Sequence, residues 1–253
     1  KNSSLLQKVK GIPHIQPIFA GSVGFLSLLT LIVMLIAPQV GAFETDLMVN
    51  GLNQAQTNIT RTKTMADQAE ASRYNIAEGV SIIGDSVTLR ATPGLKEVLP
   101  DAQTDGQVSR NTKQANAIML NHSQNKVLPK IVVIATGVNN PEDYKADIDS
   151  LITNLPKGHQ LVLVTPYEGD KTQATQPYVE QYASYVREVA QKYPYIEVAD
   201  WNQVSKDHPD IWKGTDHVHF GSDNTKLEEG AKLYAETIAS AIKALADKPV
   251  KSK

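Results

Sequence analysis

The chain has 253 residues, with 25 Lys and Arg against 27 Asp and Glu and a formal net charge of −2. Neither sign dominates, which excludes a broad electrostatic attraction for nucleic acid or for an anionic membrane surface. Cysteine is absent, and disulfides, thiolate metal sites and cysteine nucleophiles are excluded with it.

Between Lys10 and Glu44 there is no charged side chain, and the stretch from Ile18 to Ala37 is almost wholly apolar. A bilayer core of roughly 30 Å needs about 20 such residues at the helical rise. A transmembrane helix is therefore expected within 15–43, after a short cytoplasmic segment 1–14. Lys1, Lys8 and Lys10 precede the span while Glu44 and Asp46 follow it. The positive-inside rule then puts the N-terminus in the cytoplasm and everything after Phe43 outside the cell membrane. The alternatives are a signal peptide ending near Val40-Gly41-Ala42 and a buried core helix; the run is long for a signal peptide's apolar stretch of about 7 to 15 residues. The chain starts at Lys1 and not at Met, so with further chain upstream this helix would be the last of several. From 44 to 78 the residues are mostly Gln, Asn, Thr, Ala and charges without apolar alternation, the composition of a stalk or linker.

From Gly79 the pattern changes, and a domain over 79–247 is expected, with 248–253 as a tail. Apolar runs of strand length, Val80 to Ile83, Lys130 to Ala135, Gln160 to Thr165 and Ile196 to Ala199, alternate with charge-bearing helical stretches. The helices are expected over Val87 to Glu97, Thr112 to Gln124, Glu142 to Asn154, Gln176 to Tyr193 and Asn224 to Ala246. Alternation of this kind predicts an α/β fold, an open parallel sheet with helices on both faces. Such sheets bind their ligands beyond the C-terminal strand ends.

Three groups of residues fall at those ends. Gly84-Asp85-Ser86 follows the first strand and opens a helix, where unpaired N–H groups of the first turn suit a nucleophile and its oxyanion. The plainer reading makes Ser86 or Asp85 a helix N-cap. Gly137-Val138-Asn139 follows the strand Lys130 to Ala135; the Asn139 amide is a candidate oxyanion donor, or the stretch is simply a Gly-Asn turn. Asp216-His217-Val218-His219 precedes the last helix, and a carboxylate three residues from a histidine can orient the ring while its other nitrogen takes a serine proton. A metal site on Asp216, His217 and His219 and a loop with incidental histidines are the rivals. No further Glu or His stands at ligand spacing.

Together these residues resemble the SGNH hydrolases, also called the GDSL esterases and lipases, over about Val80 to Ala246. Gly84-Asp85-Ser86 is similar to that family's first block, Gly137-Val138-Asn139 to its third and Asp216-x-x-His219 to its fifth. The second block, usually built on a glycine, falls in Asp105-Gly106-Gln107-Val108-Ser109-Arg110. Here Ser109 stands at the glycine's place, after a second strand expected to end near Val108, and Gly106 is the alternative. The resemblance implies Ser86, His219 and Asp216 as catalytic residues, an oxyanion hole from Ser86, Ser109 and Asn139, and no cofactor or metal. The anchor, the polar stretch and the phrase Gly84-Asp85-Ser86-Val87-Thr88-Leu89-Arg90 further resemble the C-terminal part of bacterial peptidoglycan O-acetyltransferases. That resemblance implies a peptidoglycan glycan strand as acceptor, at the C6 hydroxyl of N-acetylmuramic acid, and an acetyl donor supplied by a membrane acyltransferase domain. An esterase of the same type and a non-catalytic glycan-binding module remain the other readings. Tyr167, Trp201 and Trp212 are candidates either for stacking on sugar rings or for core packing.

Overall fold

The computed structural model describes residues 48–54, 74–139 and 143–252, all within a compact unit from Asp46 to Lys253. The expected membrane span lies outside the described residues. Among the described residues no helix is long and apolar enough to cross a membrane.

Five strands, β1 (Val80–Gly84), β2 (Gln103–Gly106), β3 (Ile131–Ala135), β4 (Gln160–Val164) and β5 (Ile196–Ala199), form one sheet in the order β2-β1-β3-β4-β5. Every neighbouring pair is parallel. Strands β3 and β4 read as continuous apolar runs because both of their faces are covered. The period of two sorts their side chains. Ile82, Val133 and Val162 enter one buried cluster, while Ile83, Val132, Ile134, Leu161 and Leu163 enter another.

Helices α3 (Thr112–Gln124), α4 (Tyr144–Asn154) and α5 (Gln176–Lys192) cover the face of the second cluster through Met119, Leu151 and Val186. On the opposite face lie α2 (Thr92–Val98), α6 (Trp201–Asp207) and α7 (Asn224–Ala244), with Leu95, Trp201 and Ile238 in the first cluster. The result is a three-layer α/β/α architecture, as expected. Trp201 and Trp212 are each 2% exposed. Trp201 meets Phe220 and Tyr234 edge-on at ring distances of 5.7 and 5.1 Å. Both tryptophans are therefore core and are not available to stack on a sugar. Emptying either position would cost about 3–5 kcal/mol.

Besides shifts of one or two residues at several element ends, three features differ from the sequence expectation. The helix expected over Val87 to Glu97 is two helices, α1 (Ser86–Arg90) and α2, separated at Ala91. Pro93 has no N–H to continue the ladder and instead occupies the first turn of α2. Strand β2 ends at Gly106, before Val108, which stands 48% exposed in the following turn. The residues after 247 are fastened to the body. Lys251 exchanges backbone hydrogen bonds with Gly158 and His159, and its ammonium donates to the carbonyls of Ile152, Thr153 and Leu155 at 2.7–2.8 Å. Those carbonyls end α4, where an unpaired C=O row favours a cation.

In a sheet of this order the direction in which successive strands are added reverses about β1, which has β2 on one side and β3 on the other. Their C-terminal ends diverge there and leave a crevice.

Candidate active site

Close approach of α1 dictates the glycine of Gly84-Asp85-Ser86. A Cβ on Gly84 would lie 1.9 Å from Thr88 Oγ1, and one on Gly106 would lie 2.7 Å from the Leu89 backbone nitrogen. With both positions bare, α1 settles directly over the ends of β1 and β2. Asp85 is the N-cap, its Oδ1 accepting from Val87 N at 2.9 Å. The capping duty thus falls to Asp85, and the Ser86 hydroxyl is left for another partner.

That partner is His219. Its Nε2 lies 2.7 Å from Ser86 Oγ, and its Nδ1 lies 2.7 Å from Asp216 Oδ2. The other Asp216 oxygen accepts from the backbone N–H groups of His219 and Val218 at 2.7 and 3.0 Å. Burial pushes the Asp216 pKa up, but the His219 ring, the two N–H donors and the His219 charge outweigh it and hold the carboxylate at about 2. Ser86 is 7% exposed, whereas the Asp216 side chain is half in solvent.

The loop carrying this pair is held from three sides. Arg90, at the end of α1, donates to the carbonyls of Phe220 and Gly221 at 3.2 and 2.6 Å. Gly169 N donates to His217 O at 3.0 Å, and Gly221 N to Ile211 O at 2.8 Å. His217 takes φ +61°, the left-handed region in which a side chain is uncommon. Its place between Asp216 and His219 serves the bend that brings the latter two together.

Asp85 is buried, and its charge is opposed chiefly by desolvation, which raises its pKa to about 6 against the Val87 N–H and the charges of His219 and Arg110. Glu168, 5% exposed, accepts from Asp170 N. Burial first, and the carboxylates of Asp170 and Asp216 next, push its pKa up. Asp85 was marked from sequence only as a candidate N-cap, and Glu168 not at all, because neither spacing nor periodicity marks a buried acid.

Across the crevice, Ser109 has φ +60°, the conformation that explains why glycine is usual at this place. Arg110 is 3% exposed and ties the ends of β1 and β2 together. Its Nη1 donates to Gly84 O and Asp105 O at 3.0 and 2.5 Å, and its Nη2 to Asp105 Oδ1 and Gln107 Oε1 at 2.8 and 3.1 Å. Asn139 Nδ2 reaches Arg110 O only at 3.5 Å, a weak contact. Gly137 takes φ +138° with Pro166 and Tyr182 crowding the space a side chain would need. The Gly106 N–H donates to Gln54 Oε1 at 2.8 Å and is already engaged. Tyr167 stacks at a tilt on Trp212, 4.7 Å between ring centres. Near this region, but separate from it, His208, Asp210 and Glu229 approach closely enough to share a cation; the Lys226 ammonium already pairs with Asp210 and Glu229.

A parallel sheet in this order, with a serine, a histidine and an aspartate joined in line at its C-terminal edge, is the architecture of the SGNH or GDSL hydrolases. A GDSL-family lipolytic protein from Veillonella parvula shares the fold with a TM-score of 0.52 at 14% identity, over 66% of this chain and 99% of that one. An acylhydrolase described as putative from Bacteroides fragilis does so with a TM-score of 0.51 at 16% identity, over 72% and 95%. No protein-family model and no curated protein matches the chain. Among solved structures, the C-terminal catalytic domain of Streptococcus pneumoniae peptidoglycan O-acetyltransferase A, with a methylsulfonyl adduct, is 65% identical. The match covers 70% of this chain and 99% of that one, with a TM-score of 0.69. The chain belongs to the family of that O-acetyltransferase domain.

Proposed function

We propose that this domain is an extracellular peptidoglycan O-acetyltransferase that carries an acetyl group on Ser86 and delivers it to a glycan hydroxyl, the C6 hydroxyl of N-acetylmuramic acid. The observation that carries the reading is the line of two 2.7 Å contacts from Ser86 Oγ through His219 to Asp216, in a chain 65% identical to such a domain.

In the first half-reaction His219 Nε2 takes the Ser86 proton as Oγ bonds to the acetyl carbonyl carbon. Asp216 accepts from Nδ1–H and stabilises the imidazolium that forms. The oxyanion is held by the N–H groups of Ser86 and Ser109 and by the Asn139 amide, each donor worth about 2.7–4 kcal/mol in the transition state. Collapse expels the donor's leaving group, which takes the proton from His219. In the second half-reaction His219 removes the proton of the sugar hydroxyl, whose oxygen attacks the acetyl-Ser86 carbonyl. Ser86 leaves and regains its proton from His219. Water in the sugar's place gives hydrolysis through the same intermediate, so esterase activity is the second reading, supported by the GDSL fold relatives. A glycan-binding module without catalysis has no use for a serine hydroxyl 2.7 Å from an oriented imidazole.

The finer parts of the reading come from the sequence. Residues 15–43 anchor the chain in the cell membrane with the domain outside, and a membrane acyltransferase domain supplies the acetyl donor.

Incubation with p-nitrophenyl acetate followed by acid quench and mass spectrometry tests the covalent step. An acetylated Ser86 peptide is expected, absent in Ser86→Ala, with activity lower by about 10⁴-fold or more. Failure to trap an adduct during turnover would overturn the reading. Adding muropeptide oligomers and comparing acetylated glycan with free acetate separates transferase from esterase.

A further inference from the structure

Residues 48–54 lie in the stretch whose composition reads as a stalk, yet they are helical and Gln54 is 5% exposed. The helical segment passes over the nucleophile helix: a Cβ on Gly51 would lie 4.0 Å from Leu89 Cδ1. The Gln54 side chain makes two buried hydrogen bonds. Its Nε2 donates to Thr92 Oγ1 at 2.6 Å, and its Oε1 accepts from Gly106 N at 2.8 Å.

Both partners belong to segments that flank the site residues. Thr92 begins α2 directly after the Ser86 helix, and its hydroxyl donates back to Leu89 O at 2.6 Å. Gly106 ends β2, the edge strand, three residues before Ser109. The next residue, Gln107, donates its N–H to Gly84 O on β1, so the Gly106 N–H points away from β1. A primary amide supplies there what a further strand would supply. One side chain thus spans the segment that carries the nucleophile and the segment that leads into the second oxyanion donor.

We infer that Gln54 is a positioning residue for acyl transfer, setting the separation between the Ser86 helix and the Ser109 turn, and that residues 48–54 belong to the catalytic unit. The inference rests on Ser109 as an oxyanion donor. Oxyanion donors act through placement, and displacement by about 1 Å is enough to cost up to a hundredfold in rate. The amide is a compact way to transmit that placement, because Gly106 is also confined on its inner side by the Leu89 backbone.

The test uses the whole chain in detergent micelles, with p-nitrophenyl acetate turnover and amide hydrogen exchange at Gly106. Gln54→Met keeps the length of the side chain without either hydrogen bond, and Gln54→Glu restores the acceptor for Gly106. Gln54→Met is expected to lower kcat about three- to tenfold with KM within about twofold, and to speed Gly106 exchange. Gln54→Glu is expected to recover most of kcat and to slow exchange again. An unchanged kcat with faster exchange would make the contact structural only and overturn the inference, as would exchange at Gly106 that neither variant alters. Ser86→Ala run alongside keeps the two readings apart. Its inactivity with fully active Gln54 variants sinks this inference alone, and its retained activity sinks the proposed function.

Discussion

The two ends of the sheet are built on opposite terms. At the N-terminal strand ends the contacts fasten: the Lys251 ammonium meets three carbonyls of the α4 terminus, and the Gln160 amide donates to Leu245 O and Lys248 O at 2.9 and 2.7 Å. At the C-terminal ends the contacts assemble chemistry: Ser86, His219 and Asp216 stand in line and a buried acid at Asp85 is held against its own charge, while positive φ occurs at both ends, at Ser109, Gly137 and His217 here and at Asn75, Gly79, Lys126 and Gly158 there. Strain and unfavourable burial persist where surrounding structure over-determines them, and the buried acid stands where chemistry needs fixed geometry.

Substitutions that separate activity from stability sharpen this contrast. At the reactive end, Asp216→Asn should leave the fold intact and lower acetyl transfer by about 10² to 10⁴-fold, because a neutral amide no longer stabilises the imidazolium. Steady-state kinetics beside a melting curve will check this; a melting temperature that falls while the rate holds would contradict it.

The next largest effect concerns pH. The Asp85 pKa in the folded state, about 6, lies above its ordinary value of 3.8. Below both values the group is protonated in folded and unfolded chains alike and costs nothing. As pH rises from about 4 to 6 the unfolded chain ionises first, so stability falls, by about 3 kcal/mol at most, and then levels off. Asp85→Asn, which keeps an N-cap acceptor, should remove this fall and be more stable than the parent at pH 7.5 but not at pH 4. Urea unfolding at the two pH values is the measurement. Asp216 acts in the opposite sense and in a lower window. Its pKa is depressed to about 2, so its contribution is present above about 4 and is lost as pH falls toward 2.

At the fastening end, Lys251→Met should cost about 1–3 kcal/mol, since three carbonyls lose a charged donor, while kcat stays within about twofold of the parent. A kinetic defect larger than the stability loss would break the division between the ends. The smallest effect is expected for Ser109→Gly. It keeps the N–H and relieves a positive φ, raising stability by about 1 kcal/mol with little change in rate. A large loss of rate would assign a task to the Ser109 hydroxyl itself.

Much of the fold was legible because burial on both faces leaves a strong mark. The runs of β3 and β4 and the helices α3 and α5 could be placed within a residue or two from the alternation of apolar runs with charge-bearing stretches, and the structure adds the capping box that Asn111 forms before Thr112. The edge strand β2 was hard to see: Gln103-Thr104-Asp105-Gly106 has no apolar alternation, and its conformation comes from pairing with β1. The segment at 48–54 was opaque for the same reason. It lies in a mostly polar stretch and its apolar Met48, Val49 and Leu52 are exposed, so burial leaves no periodic mark, and the meeting of Gln54 with Thr92 and Gly106 comes from the fold.

For the reactive groups the division is similar. Gly84-Asp85-Ser86 and the Asp216-x-x-His219 spacing are local patterns, and the sequence by itself determined which residue types stand at strand ends and which chemistry they allow. Tertiary structure decided the rest, since the contact between Ser86 and His219 spans 133 positions and no local period encodes such a distance. It decided that Asp85 and not Ser86 caps the helix, that Trp201 and Trp212 lie in the core, and that Gly106 gives its N–H to Gln54. Each of these depends on which partner reaches a polar group or covers an apolar one first, and that is settled only when separate segments of chain compete for the same space.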